Sequence, residues 1–557
     1  MLLTVVYTSF VDLAQEAKAL GFVLSEFLSN HTTLAATLSS LAATYLFLFA
    51  VLHLTHNEKE PPLVATAVPF LSPVVGMVKW SMDFYTHMKT KHHDLPIYTL
   101  RLPGTRLYIV NSLNLILSVQ RQWRTLIFPP VSARASEVAM GVSKDALAII
   151  REDMIADTGF FHTFIKATHP SLSSGPALER LSGDAMAVLT ASLDNIVDRG
   201  SKRARMFEWI HHEFLMATTD SVYGPHNPLR DPANEEGWHN YHPTIIFLML
   251  DLLPHWAFHS AIKSRNQLAK AFQNYHINRR YTEGSDYIRR WTEHFVSWDI
   301  SASDIGCFHN AAMFSLVANT IPTAFWMIYH VFSDPAVTED CRKEVLKAVS
   351  IHEENSEEIC TVRARTIKEH CPTLLSTFQE VFRFHGMANS VRIASEYHML
   401  DGKYLIKKGN IVMMPARVQH HSKEVWGEDV EVFHARRFMR NPGEPRLHPG
   451  AFRGFGGGTT LCPGRHFATT EILLFTAMVL LRFDVLPVVG EGKWIMPATK
   501  TSSQAEAMEQ PDCDIDIELR PRPGAERNWR VSLRKQEKRP LWLRICKEKE
   551  GDLLNIT

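Results

Sequence analysis

Residues 32–52, TTLAATLSSLAATYLFLFAVL, carry no charged side chain, and this run restricts the possible folds more than any other stretch. About 20 apolar residues cross a bilayer as a helix, so the run predicts one N-terminal transmembrane anchor, with a buried core helix as the alternative. A cleaved signal peptide fits poorly: no basic leader precedes the run, and no small-residue cleavage site precedes the polar HNEKE. Flanking charge is too sparse to fix an orientation. For a chain of 557 residues, 45% hydrophobic and 21% charged content is ordinary and supports a sizeable core. Lys+Arg and Asp+Glu both total 59, which argues against a nucleic-acid binder that works through a global basic field.

Before the anchor, residues 1–31 include the amphipathic VDLAQEAKALGFVLSEFL, suited to a membrane face. After it, four prolines in residues 57–76 predict a stiff hinge over 55–76. A catalytic body is expected over 77–535 and a highly charged tail over 536–557. Within the body, Pro103-Gly104 centres a hairpin over 97–110, and Asp401-Gly402 turns a strand-rich patch over 396–416. Long helical patterns dominate from about 175 to 350. The expectation is a mainly α protein with small β-sheets (α+β) behind a single anchor.

The seven cysteines form no CxxC pair, so a disulfide framework and a zinc finger are both excluded. Cys462 stands apart in FGGGTTLCPGRHFA (455–468), where an apolar helical pattern follows at once. Three readings compete: a structural cysteine, a phosphate-cradling loop, and a thiolate ligand. The phosphate loop fails because no lysine follows the glycines. A structural cysteine belongs in an apolar stripe, whereas Cys462 is flanked by Pro463 and Gly464 at a helix start. That position favours a thiolate, and the glycines let the backbone approach a large flat ligand.

The spacing of Phe455, Gly458, Cys462 and Gly464 strongly resembles the haem-binding signature of the cytochrome P450 family. The resemblance implies the cytochrome P450 fold and haem b, with iron held by Cys462 as axial thiolate. It also implies a buried network of Glu380 and Arg383, in LLSTFQEVFRFHG, with Arg437, in WGEDVEVFHARRFMR. Ala435 stands where the family has proline, and Glu339 with Arg342 matches the Glu-x-x-Arg pattern without such a partner. Thr460 occupies the position where the family has Arg or His against a haem propionate. Propionate neutralisation then falls to other cations, and the resemblance offers Arg392 and His420.

On the oxygen side, residues 307–332 form a long apolar helical pattern interrupted by Pro322. The family's acid–alcohol pair is missing; Ala318-Asn319-Thr320-Ile321-Pro322 resembles instead the subgroup of cholesterol 7α-hydroxylase and prostacyclin synthase. Asn319 and Thr320 become the candidate catalytic groups, and Phe314, Val317 and Ala318 candidate pocket residues. The resemblance implies a fungal-type monooxygenase of the endoplasmic reticulum membrane with a cytosolic body. It would take electrons from NADPH-cytochrome P450 reductase to oxidise a lipophilic terpenoid, sterol or polyketide-type molecule. An isomerase or dehydratase acting without dioxygen, or a haem-binding protein without turnover, are the alternatives.

Overall fold

The computed structural model describes residues 32–64, 66–251, 253–354, 356–439, 443, 445–488 and 492–533. The amphipathic segment 1–31 and the tail 536–557 therefore lie outside the described residues. The charge-free run folds as one helix, α1 (Thr32–Leu54), and Ala36–Leu54 is long and apolar enough to cross a membrane. Its described side chains are nearly all exposed, apart from Leu52, which packs into the body. Residues Ala302–Phe332 pass the same length and composition test but are mostly buried, as a core helix is.

The expected hinge is pinned where it leaves α1. Glu60, buried at 3% exposure, accepts from Lys407 Nζ at 2.6 Å, Tyr108 Oη at 2.8 Å and the Asn57 N–H at 2.8 Å, with Arg106 Nε at 3.1 Å. Thr55 O accepts from Arg106 and Lys407 as well. Proline lacks an N–H but keeps its carbonyl. Here Pro61 O and Pro62 O accept from the Thr99 hydroxyl and N–H at 2.7 and 2.8 Å, so the stretch is fastened to the body.

Thr99 belongs to a five-stranded sheet built from β1 (Ile97–Leu102), β2 (Thr105–Val110), β3 (Leu126–Ile127), β4 (Asn389–Ala394) and β5 (Ile411–Pro415). The spatial order is β1-β2-β5-β4-β3, with β2 and β5 parallel and the other pairs antiparallel. The hairpin predicted over 97–110 is β1–β2, paired from Ile97↔Val110 to Leu102↔Thr105. The 396–416 patch splits into a small hairpin, His398–Leu400 with Tyr404–Ile406, and then β5. Its turn places Asp401 and Gly402 at φ +55° and +69°, the left-handed region those residue types tolerate.

The rest is a helical body. Four helices position the site: α2 (Ala302–Val317), α3 (Thr320–Phe332), α4 (Pro372–Phe384) and α5 (Arg465–Arg482). Every residue of α3, and of α5 from Thr470 onward, is buried, which explains their near-continuous apolar sequence. Pro322 interrupts the helical run four residues upstream of itself. Its missing N–H leaves the Ala318 carbonyl without a helical partner, so α2 ends at Val317 and Pro322 sits in the first turn of α3, where proline is tolerated.

The Glu60 clamp has a pH signature. Burial alone raises the Glu60 carboxyl, but Lys407, the Asn57 N–H, Tyr108 and Arg106 together hold it below its usual range. A depressed carboxyl stabilises the fold above the ordinary Glu value of about 4.3 and is lost only as pH falls through the lower folded value. Hydrogen exchange at the amides of Thr99 and Leu405, which donate to Pro62 O and Lys59 O, therefore stays slow down to that range. Glu60→Gln speeds it at neutral pH; exchange indifferent to the substitution would refute the clamp.

Candidate functional site

A cavity of about 800 Å³ opens beneath α2, walled mainly by apolar and aromatic side chains. Phe160, Phe164, Trp291 and Phe308 line it, and at one end it meets Arg392, Thr460, Cys462 and Gly464. A mainly apolar wall with a few polar groups at one end is how proteins hold large, flat or lipophilic molecules.

The loop bearing Cys462 runs into α5, with the Ala468 N–H donating to Gly464 O at 3.0 Å in its first turn. The Cys462 N–H donates to Phe455 O at 3.0 Å, which closes the loop on itself. Gly456 and Gly458 stand at φ +79° and +62°, so the approach to the cysteine requires residues without a Cβ penalty. Burial pushes the half-buried Cys462 thiol up, against the N–H groups of Gly464 and Arg465 and the Arg465 charge, which favour the thiolate. A cation in front of the sulfur would complete that balance.

Phe455 does not face the cavity. Its ring packs on Phe382 of α4 with centroids 4.6 Å apart, tying the cysteine loop to that helix. On α4, Arg383 donates to both Glu380 oxygens, at 2.8 and 2.7 Å, and both residues are 0% exposed. Glu380 Oε1 also accepts from Arg437 Nε at 3.1 Å and from the His434 N–H at 3.0 Å. The structure thus joins Glu380, Arg383 and Arg437. The decoy pair stays apart: Arg342 binds Asp484, and Glu339 pairs with Lys343.

Arg392, on β4, lines the cavity and donates to the Thr460 hydroxyl and to Val391 O. His420 is fully buried off the cavity, and burial lowers it to about 3. Its Nε2 accepts from the Arg453 N–H at 3.0 Å, while its carbonyl accepts from Arg383. The ring is a strut between the Glu380 network and the cysteine loop.

Asn319 and Thr320 are absent from the cavity wall, as are Phe314, Val317 and Ala318. Asn319 Oδ1 accepts from the Ala507 N–H at 2.7 Å, fastening the 505–510 loop, and Thr320 donates back to Leu316 O inside the helical path. The wall is formed one turn earlier by Phe308, Ala311, Ala312, Ser315 and Leu316. The break at Ala318–Asn319 turns the later residues toward the body. Ser315, the hydroxyl on this wall, went unnoticed in the sequence because nothing distinguished it from other serines in apolar helices. Arg453 was missed as well, although an arginine two residues before Phe455 in so apolar a stretch was a legible signal.

Arg392 and Arg453 are 3% and 2% exposed, and neither forms an ion pair among the described residues. Arg453 Nε has no acceptor at all. Burial lowers both guanidinium groups to about 10, and for Arg453 the Arg392 charge adds to the effect. Two buried, uncompensated cations beside a thiol-bearing cavity fit a group that brings both carboxylates and a metal.

The cytochrome P450 family model matches residues 238–507. A cytochrome P450 monooxygenase of Hypoxylon pulicicidum, nodJ, is 29% identical over 84% of this chain and 90% of its own length. Another cytochrome P450 monooxygenase, from Gibberella zeae, is 27% identical over 83% of this chain and 88% of its own. Cholesterol 7-alpha-monooxygenase of Cricetulus griseus is 27% identical over 42% of this chain and 49% of its own. Fold, cysteine loop and matches define a haem-thiolate protein. The chain matches a cytochrome P450 domain over residues 238–507, and that family's cofactor is haem with a cysteine thiolate on its iron.

Replacing Glu380 by Ala strands the Arg383 guanidinium in a fully buried site, a loss of about 3–5 kcal/mol. The variant is expected to accumulate without haem, read as Soret absorbance per unit of protein. Normal loading would show that the network does not shape the site.

Proposed function

We propose that this protein is a membrane-anchored haem-thiolate monooxygenase that oxidises a lipophilic small molecule. The observation that carries the reading is one cavity that joins an apolar, aromatic wall to an end where Cys462 and the buried cation of Arg392 lie together. The named monooxygenases among the relatives support the reaction class. The rigid aromatic wall suits terpenoid, sterol or polyketide-type skeletons. NADPH-cytochrome P450 reductase is the proposed electron donor and the endoplasmic reticulum membrane the proposed site, with α1 as a single-pass anchor and the body in the cytosol.

Cys462 would hold the haem iron through its thiolate, Gly458 and Gly464 would leave room for the ring, and Arg392 would bind a propionate. Haem held there supplies oxygen activation, to which thiolate donation contributes by favouring O–O cleavage. The protein's own part is to exclude water, orient the substrate and hold protons near the reacting centre. Ser315 donates to Ala311 O at 2.9 Å, which leaves its lone pairs to accept from a water in the cavity. We assign it the polar role on the oxygen side. Asn319 acts at one remove, by holding the 505–510 loop through Ala507.

The reduced, carbon-monoxide-bound spectrum tests the ligand: a strongly red-shifted Soret band is expected, and Cys462→Ser should abolish it. Oxygen from labelled dioxygen should enter the product only with NADPH and reductase. Product formed without either would replace the reading by an isomerase. Ser315→Ala should lower product per NADPH about fivefold, the value of one lost hydrogen bond, whereas Thr320→Ala leaves it unchanged. Equal effects of the two would remove Ser315 from its role.

A further inference from the structure

Thr460 removes a cation from the place where the family puts one, and the structure holds an unassigned cation close by. Arg453 lies in the approach to the cysteine loop, 2% exposed. Its side chain donates to the Ser390 hydroxyl at 2.8 Å, and its Nε meets no acceptor. Ser390 and Arg392 are two apart on β4, so their side chains leave the same face of the strand. Arg453 and Arg392 are therefore neighbours, as the effect of the Arg392 charge on Arg453 also records. Like charges do not bury side by side unless an anion lies between or before them.

We infer that Arg453 is a second carboxylate-binding residue of the cofactor site, serving a haem propionate in place of the missing residue at position 460. This rests on the haem-thiolate reading above. The chain has moved the cation, and it has also rebuilt its support. Thr460 now accepts from Arg392 and so orients that guanidinium. His420, neutral and buried, holds the Arg453 backbone N–H. Ser390 fixes one arm of the fork and leaves the other edge of the guanidinium for an incoming oxygen pair. The position expected to carry the charge, His420, thus positions the residue that does carry it.

The test is a two-way comparison of haem and haem dimethyl ester, whose propionates are uncharged. The full-length protein is loaded with each, and release to an apomyoglobin acceptor is timed. In the native protein the ester is expected to leave about ten- to a hundredfold faster, the size of lost charge-assisted bonds. In Arg453→Met, haem leaves faster and the ester disadvantage shrinks toward that due to Arg392 alone. Adding Thr460→Arg restores it. A merely structural Arg453 would speed release of both forms equally, and an undiminished ester disadvantage in Arg453→Met would overturn the inference. Should Arg453→Met not accumulate, Arg453→Lys decides: a reduced but measurable disadvantage supports the inference, and a native-sized one overturns it. Failure of the native protein to take up haem, or a Soret band without thiolate character, would instead overturn the functional reading.

Discussion

One carboxylate organises the site. Glu380 is fully buried and takes four donors, three on Oε1 from Arg383, Arg437 and the His434 backbone and one on Oε2 from Arg383. Arg383 then spends its remaining N–H groups on the carbonyls of His420 and Val430. Two routes lead from there to the cysteine loop: the His420 ring on the Arg453 N–H, and the α4 phenylalanines on Phe455. Buried ionic groups of this kind add little net stability over apolar packing, yet they admit only one arrangement of the segments they join. The position of the Cys462 sulfur is inherited from that arrangement.

The opposite logic governs the cavity end. Arg392 and Arg453 are buried without carboxylates among the described residues, and their neutral acceptors, Val391 O, Thr460 and Ser390, offset only part of the desolvation cost. An anion that binds only the folded state relieves that cost and stabilises the fold by mass action. Cofactor retention and folding are thereby the same equilibrium seen from two sides.

What the sequence disclosed follows from how local each signal is. The long apolar helix α1 and the 97–110 hairpin were legible because length, charge and turn chemistry act over a few residues. Cys462, Glu380, Arg383 and Arg437 were legible as a pattern, and the structure brings the last three together through bonds that no spacing could have measured. On the oxygen side Pro322 was visible, but its effect falls at Ala318–Asn319, and only the packed helix shows which face meets the cavity. The burial of His420 was not legible, because a lone histidine does not announce it. Nor were the partners of the proline carbonyls after α1, here Thr99, which are distant in sequence.

The Glu60 clamp bears on more than the stability of one segment. Four side chains and two proline carbonyls weld the end of α1 to the sheet, so helix and body turn as one piece. With α1 in a bilayer, a flexible tether would leave the body free to roll over the surface, whereas this joint restricts it to the tilt and spin of the helix. If α1 anchors the protein as proposed, the encounter with a membrane-bound electron donor would become a search in two dimensions with much of the rotational freedom already removed.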